Sequence, residues 1–337
     1  MATFLRFFGL AAAALPLFAL SGCGAAPDST GEDAVAEAGD ELIAGKVQIV
    51  VSVDWEGREL AATNLDAMKA FRSANPTVPL VQFLNAAYYF KPGADAAATS
   101  VKIASVLKPS DELGLHIHGW KRLFEASGVA FRTTPTFWGT PVLEDSCSFD
   151  CGHEVPISAY NTGELQSVIR TSNATLRANG FAIGKSFRAG GWMATTSVRE
   201  ALTAEGFTVD SSAANVALLS DELVGLPVLG WLKNLWGSVQ STSQPYAIAT
   251  RSGSLKEIPD NGALADYATS AEMVTVFQAH KARLKLSPTK NTVMSIGFHQ
   301  ETAKTYLPRV TSAILRIKQI AAAENIRVVF VTTAAVK

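Results

Sequence analysis

Four short stretches concentrate the side chains able to move protons or hold a metal. Ser52-Val53-Asp54-Trp55-Glu56-Gly57 carries two carboxylates at i and i+2, and Gly114-Leu115-His116-Ile117-His118-Gly119-Trp120 carries two imidazoles at the same spacing. In extended backbone, residues i and i+2 face one side, so each pair can be presented to a single point. Either motif alone is commonplace, a D-x-E in a solvated loop or an H-x-H structural pair. Converging from strand ends, they form the mixed N/O donor set of a divalent metal such as zinc, with room for an open catalytic position. Asp54, Glu56, His116 and His118 are thus the candidate residues of a metal site. A third stretch, Ser186-Phe187-Arg188-Ala189-Gly190-Gly191-Trp192, supplies a fixed cation able to fork onto a carboxylate, beside glycines that let backbone approach a ligand closely. The fourth, Ser295-Ile296-Gly297-Phe298-His299-Gln300-Glu301, sets His299 at the end of an apolar strand. An imidazole there titrates near neutrality and can act as general acid. His153, in the loop after Cys151, and His280, in a helical pattern that reads as surface, lack this setting.

Strands must deliver these residues, and strand candidates are present at each place. Val47 to Val53 is a β-branched run, and Leu80–Leu84, Gly114–His118, Ile183–Phe187, Phe207–Asp210, Val293–Phe298 and Ile326–Thr332 are further short apolar runs. Helical periodicity lies between most of them. Over 161–179, Asn161 and Glu164 have capping-box spacing, and Leu165, Val168, Ile169, Ser172 and Leu176 form one stripe before Gly180. Over 303–323, Val310, Ile314, Ile317 and Ile320 do likewise. Continuous apolar strands alternating with helices imply an α/β fold with a parallel sheet covered on both faces, either a (β/α) barrel or an open doubly wound sheet. In both, function belongs at the C-terminal ends of the strands. No Gly-rich phosphate-binding turn follows any strand, which speaks against a nucleotide site.

Composition narrows the class. The chain has 337 residues, 48% hydrophobic, with 29 Lys+Arg against 30 Asp+Glu. That is too apolar for a disordered chain, and the near-neutral balance argues against a nucleic-acid partner. Residues 1–22 read as an export signal, with Arg6 followed by an apolar stretch from Phe7 to Leu20. Leu20-Ser21-Gly22-Cys23 resembles a bacterial lipobox, which makes Cys23 the expected lipidation site and a lipid anchor the only membrane contact. Residues 23–44 read as a flexible acidic tether, and 45–337 as one catalytic barrel. One cation and six acids fall within residues 1–44, so the remainder holds 28 cations and 24 acids, a net charge of +4.

The order of these motifs resembles the polysaccharide deacetylases, metal-dependent enzymes that remove acetyl groups from N-acetylated sugars. The resemblance rests on Asp54 with Glu56, His116 with His118, Arg188 with Trp192, and His299, supported by Gly206-Phe207-Thr208-Val209-Asp210-Ser211-Ser212 and Glu257-Ile258-Pro259. It spans most of residues 46–332. It implies a single, distorted (β/α) barrel of seven or eight strands and metal-assisted hydrolysis of an acetyl group on an envelope or extracellular glycan. Asp54 would then be the base, Glu56 a ligand, Arg188 the residue that orients Asp54, and His299 the acid. Where the family has adjacent aspartates this chain has Asp54-Trp55-Glu56, and its histidines are two apart where the family's are four apart, so the reverse assignment of the two carboxylates stays open.

Trp55, Trp120 and Trp192 lie inside the motifs, where they either stack on sugar rings or pack beneath the strand ends. The apolar segment 226–236 reads as a lid, a membrane-facing patch near the lipid anchor or a packed outer helix, the last favoured. Cys147 and Cys151, in an exported chain, read as a local disulfide. Two other functions fit the same residues: a glycan-binding lipoprotein without activity, and an amidohydrolase for a small non-sugar amide.

Overall fold

The computed structural model describes residues 45–144, 147 and 150–336. The expected signal segment, Cys23 and the tether lie outside them. The described chain runs β1 (Val47–Asp54), α1 (Ala62–Ala74), β2 (Val81–Leu84), α2 (Ala96–Ala104), β3 (Glu112–Ile117), α3 (Lys121–Ala126), α4 (Thr162–Ala178), β4 (Ser186–Ala189), α5 (Thr196–Ala204) and β5 (Val209–Asp210). It continues through α6 (Ser220–Leu223), α7 (Pro227–Trp236), β6 (Tyr246–Thr250), β7 (Gly253–Glu257), α8 (Ser270–Leu286), β8 (Thr292–His299), α9 (Ala303–Ala323) and β9 (Val328–Val331).

Every residue of β1 is buried, because parallel strands flank it on both edges and packing covers both faces. The path β7-β5-β4-β3-β2-β1-β8 is parallel throughout. β6 adds an antiparallel hairpin strand to β7, and β9 lies beside the N-terminal half of β1. The gap between β7 and β8 is bridged by residues 260–265. Gly262 N–H donates to Ser295 O at 2.8 Å, Gly297 N–H to Ala263 O at 3.3 Å, and Ala265 N–H to Gly297 O at 2.8 Å. The curled sheet is thereby closed into a distorted (β/α) barrel. Gly297 is needed where this segment, β8 and β1 converge, since a Cβ there would lie 2.5 Å from Ser52 Oγ and 2.7 Å from Leu264 Cδ2.

The helices follow from their sequence. At α4, Asn161 Oδ1 accepts from Glu164 N–H and the Glu164 carboxylate accepts from Asn161 N–H, a closed capping box. The buried face is Leu165, Val168, Ile169, Ser172 and Leu176, the stripe expected from spacing. α8 has its own box from Thr269 and Glu272. Its His280 is fully buried, contrary to the surface position expected, because it faces β8 and its Nδ1 lies 2.6 Å from Thr292 Oγ1. The segment 226–236 forms α7, with Val228, Leu229, Leu232 and Trp236 buried. No helix among the described residues is long and apolar enough to cross a membrane.

Candidate active site and metal centre

Strand register assembles the site. Asp54 and His299 are register partners at the ends of β1 and β8, and His116 is the partner of Arg188 on β3 and β4. Both pairs therefore sit at the C-terminal ends of parallel strands, at the same end of the barrel, with Asp54 in register through β2 with Gly114, two residues before His116. Arg188 is fully buried and spends its fork at this end. Its Nη1 donates to Asp54 Oδ1 at 3.0 Å and to Ser52 Oγ at 2.8 Å, while Nε donates to Ser211 O at 2.8 Å and Nη2 to Ser211 Oγ at 3.0 Å. The guanidinium also faces the Phe83 ring at 4.8 Å. Burial alone would lower its pKa, but Asp54, Asp260 and Glu257 more than offset this and keep it a permanent cation.

Glu56, just beyond β1, is the centre of the cluster. His118 Nε2 lies 2.8 Å and His153 Nε2 2.6 Å from its Oε2; His116 Nε2 lies 3.2 Å and His299 Nε2 3.6 Å from its Oε1. Tautomers follow from the other ring nitrogens. His116 Nδ1 meets Arg188 O at 2.8 Å and His118 Nδ1 meets His153 O at 2.9 Å. A carbonyl only accepts, so both rings carry a proton on Nδ1 and direct Nε2 at the Glu56 carboxylate. Without a second proton on Nε2, each ring would set a lone pair against an acceptor oxygen, an arrangement that a cation between them satisfies, and the donors fit one. Asp54, Glu56 and His116 form one group, and Glu56, His118 and His153 another, each with ligand atoms within 4.8 Å of one another. Burial alone would raise the Glu56 pKa, but His118, His299 and the bonds from His116 and His118 hold it well below the usual carboxylate range.

His153 is the main residue that sequence reasoning missed. It arrives on the 127–161 loop, stacks on His118 with ring centroids 4.1 Å apart, and touches Glu56 directly. Burial and the neighbouring His118 push its pKa down to about 3. Arg58 Nη2 lies 3.4 Å from its Nδ1, and a guanidinium only donates, so the ring proton sits on Nε2 and is given to Glu56. A disulfide joins Cys147 to Cys151, with Cα atoms 5.7 Å apart, two residues before this histidine. The spacing Cys151-Gly152-His153 was the one signal that a tethered loop delivers it.

His299 faces the cluster from the other side. Its Nδ1 pairs with Asp266 Oδ2 at 2.9 Å, and Thr302 Oγ1 donates to Asp266 Oδ1 at 2.6 Å. Burial would lower the His299 pKa, but Asp266, then Glu56 and Asp54, carry it up to about 10. Asp266 was not found from sequence, since it follows the closing segment and obeys no strand period.

The tryptophans divide. Trp192 lines the cavity beside the cluster and donates from Nε1 to Asp260 Oδ2 at 3.0 Å. Trp55 corrects the expectation of a sugar platform: it alternates to the opposite face from Asp54 and Glu56, is fully buried, and donates to Gln82 Oε1 at 2.9 Å. Trp120 is also buried; its Nε1 donates to Glu56 O at 2.7 Å and Lys91 Nζ sits 3.1 Å over its ring, so it steadies the Glu56 backbone and offers the cavity no face. The cavity itself is narrow, about 70 Å³, with walls of Phe137, Trp138, Trp192, Leu223, Val228 and Tyr267. Its acidic and imidazole groups are Asp54, Glu56 and the four clustered histidines, and Tyr267 adds a phenol. Gly191, at φ 60°, permits the Phe137 ring to lie against bare backbone, since a Cβ there would be 2.5 Å from Phe137 Cζ.

No family model matches the sequence, and no curated protein matches it. Among solved structures, a Mycobacterium smegmatis protein assigned as a polysaccharide deacetylase superposes with a TM-score of 0.50 at 12% identity, covering 86% of this chain and 88% of its own. A family 4 carbohydrate esterase from Streptomyces lividans, in complex with acetate, matches with a TM-score of 0.41 at 13% identity over 87% and 95% of the two chains. A family 4 pseudoenzyme from Bacillus anthracis matches with a TM-score of 0.37 at 8% identity over 86% and 64%. The first of these likenesses establishes the fold: the chain has the barrel architecture of a deacetylase-type protein.

Proposed function

We propose that this chain is a metal-dependent hydrolase that removes N- or O-acetyl groups from an envelope or extracellular polysaccharide. One observation carries the reading: a carboxylate held by a buried arginine and an imidazole held by a second carboxylate face each other as register partners across a ring of metal donors. Glu56, His116 and His118 would hold the metal, with His153 orienting Glu56, and imidazole with carboxylate is a donor set suited to zinc. A divalent cation bound there supplies Lewis acidity to the attacking water and to the scissile carbonyl.

The chain's own residues do the rest. Asp54, aimed by Arg188, takes the proton from the attacking water. His299, kept protonated by Asp266, returns a proton to the departing amine or alcohol. Trp192 and Tyr267 border the space for the acetyl group and exclude water from it. The resemblance of the motifs and the barrel fold support a glycan as substrate. A small non-sugar amide is a second reading, favoured by the narrow cavity of about 70 Å³ whose walls outside the cluster are largely apolar and aromatic.

The apolar leader and Leu20-Ser21-Gly22-Cys23 support export and lipid anchoring at Cys23, and the disulfide suits an oxidising compartment. Alkylation with mass spectrometry on exported protein is expected to leave Cys147 and Cys151 unlabelled. For the activity, metal content and acetate release from N-acetylglucosamine oligomers and peptidoglycan are measured together. Stoichiometric metal with acetate release supports the deacetylase. Bound metal with hydrolysis of small amides alone supports the second reading, and a protein without metal affinity refutes both.

A further inference from the structure

The barrel wall behind the site contains a pair of carboxyls that the proposed reaction does not touch. Asp210 on β5 and Glu257 on β7 are register partners on adjacent parallel strands, and both are completely buried. Each has one oxygen satisfied by a conventional donor: Ser212 Oγ donates to Asp210 Oδ1 at 2.5 Å, and Ala213 N–H donates to Glu257 Oε1 at 2.9 Å. The other oxygens, Asp210 Oδ2 and Glu257 Oε2, are buried without any donor. Two anionic carboxylates side by side on adjacent strands with no donor between them repel strongly away from water, and a proton on one of them supplies the missing donor.

The pair sits at the root of the linkage that aims the base. Ser211, between Asp210 and Ser212, accepts from Arg188 through both its carbonyl and its hydroxyl, and its own hydroxyl donates to Ile258 O, the residue after Glu257. Arg188 in turn holds Asp54 at 3.0 Å. We propose that Asp210 and Glu257 share one proton and serve as positioning residues: the shared proton joins β5 to β7, fixes Ser211, and so keeps Arg188 on Asp54. Loss of that proton to hydroxide leaves two buried anions side by side, and β5 must separate from β7. This inference rests on the hydrolase reading for its kinetic consequence but not for the proton itself.

The electrostatic surroundings agree. Burial raises both acids, Asp210 to about 6, and the charge of Asp210 adds to burial in raising Glu257 well above the usual range, so the proton resides mainly on Glu257. Facing the pair are Arg188 from β4, Arg199 from α5 and Tyr246 from β6, none of them in hydrogen-bond contact with either acid. The raised values place the loss on the alkaline side, above the unfolded carboxylate range.

The test compares wild type with Glu257→Gln, which keeps an acceptor for Ala213 and offers Asp210 a permanent N–H donor. Infrared spectra of the metal-loaded proteins at neutral pH are expected to show a buried carboxylic C=O band in wild type that vanishes in Glu257→Gln. Its absence from wild type overturns the shared proton, whether or not the protein is a hydrolase. Positioning is read from the NMR signal of the Arg188 Nε–H, protected by its bond to Ser211, and from the pH profile of acetate release. In wild type both should fall together at alkaline pH. In Glu257→Gln the fall should shift upward by at least about one pH unit. An alkaline fall at the same pH in the variant overturns the positioning role. Wild type inactive on every acetylated probe, yet showing the band and the shifted Nε–H signal, would leave this inference standing and remove the hydrolase reading alone.

Discussion

Replacing Arg188 by alanine tests the core of the site most directly, because its consequences for folding can be separated from those for chemistry. The guanidinium is fully buried and makes four hydrogen bonds, one of them to Asp54, itself 2% exposed. Arg188→Ala leaves that carboxylate in a low-dielectric site without its cation, which costs about 3–5 kcal/mol. At roughly 2 °C or slightly more per kcal/mol for a barrel of this size, Tm should drop by about 6–10 °C. Asp54→Asn in the same background removes the stranded charge, so the double variant should be less destabilised than the sum of the singles by about 2 kcal/mol. Urea melts of wild type, both singles and the double, run on metal-free protein, give the coupling energy. Strict additivity, or an Arg188→Ala loss below about 1 kcal/mol, would refute the claim that the two residues form one buried unit. Kinetically, Arg188→Lys keeps the charge but not the fork, and should lower kcat/KM by about 10²-fold through misplacement of Asp54 alone.

Three other outcomes follow from the same geometry. His280 is buried with its pKa lowered to about 4 by burial, so the stability it contributes is full above its unfolded value near 6.5 and is lost as pH falls toward 4. This amounts to about 3 kcal/mol, and His280→Gln should flatten the stability slope in that window in pH-dependent chemical denaturation. His153→Ala should weaken metal affinity by about 10–100-fold in competition with a chromophoric chelator, whereas His116→Ala should abolish stoichiometric binding; equal, negligible effects would remove both from the metal centre. Gly191→Ala forces a Cβ within 2.5 Å of Phe137 Cζ at a backbone φ of 60°, and should cost about 1–3 kcal/mol in thermal melts.

Much of this site was legible because strand ends obey a local period. Asp54 with Glu56, His116 with His118, Arg188 and His299 each follow an apolar run, and the parallel register then brings them to the same end of the barrel. Trp55 shows the limit of that logic, since the same alternation that turns its neighbours inward sends it to the core. His153 and Asp266 were invisible for a different reason: they sit in irregular backbone, where position depends on long-range contacts with Glu56 and His299. The β6–β7 hairpin escaped notice because β6 is short and largely exposed, with alanines in place of a β-branched run. His280 was misplaced because α8 carries apolar residues around much of its surface, so spacing alone did not say which side met β8.

The closing segment also bears on how the protein comes to life. Residues 260–265 ladder onto β8 and deliver Asp260 to Trp192 at one end and Asp266 to His299 at the other, while β8 joins β1 across more than two hundred residues of intervening chain. The β1–β8 pairing, like that of β9 with β1, closes a long loop and forms late during folding. A nascent or partly folded chain would thus contain most of its helices and strands yet not bring Asp54 beside His299. Regain of metal-dependent turnover after refolding should trail the recovery of secondary structure, making turnover a reporter of barrel closure.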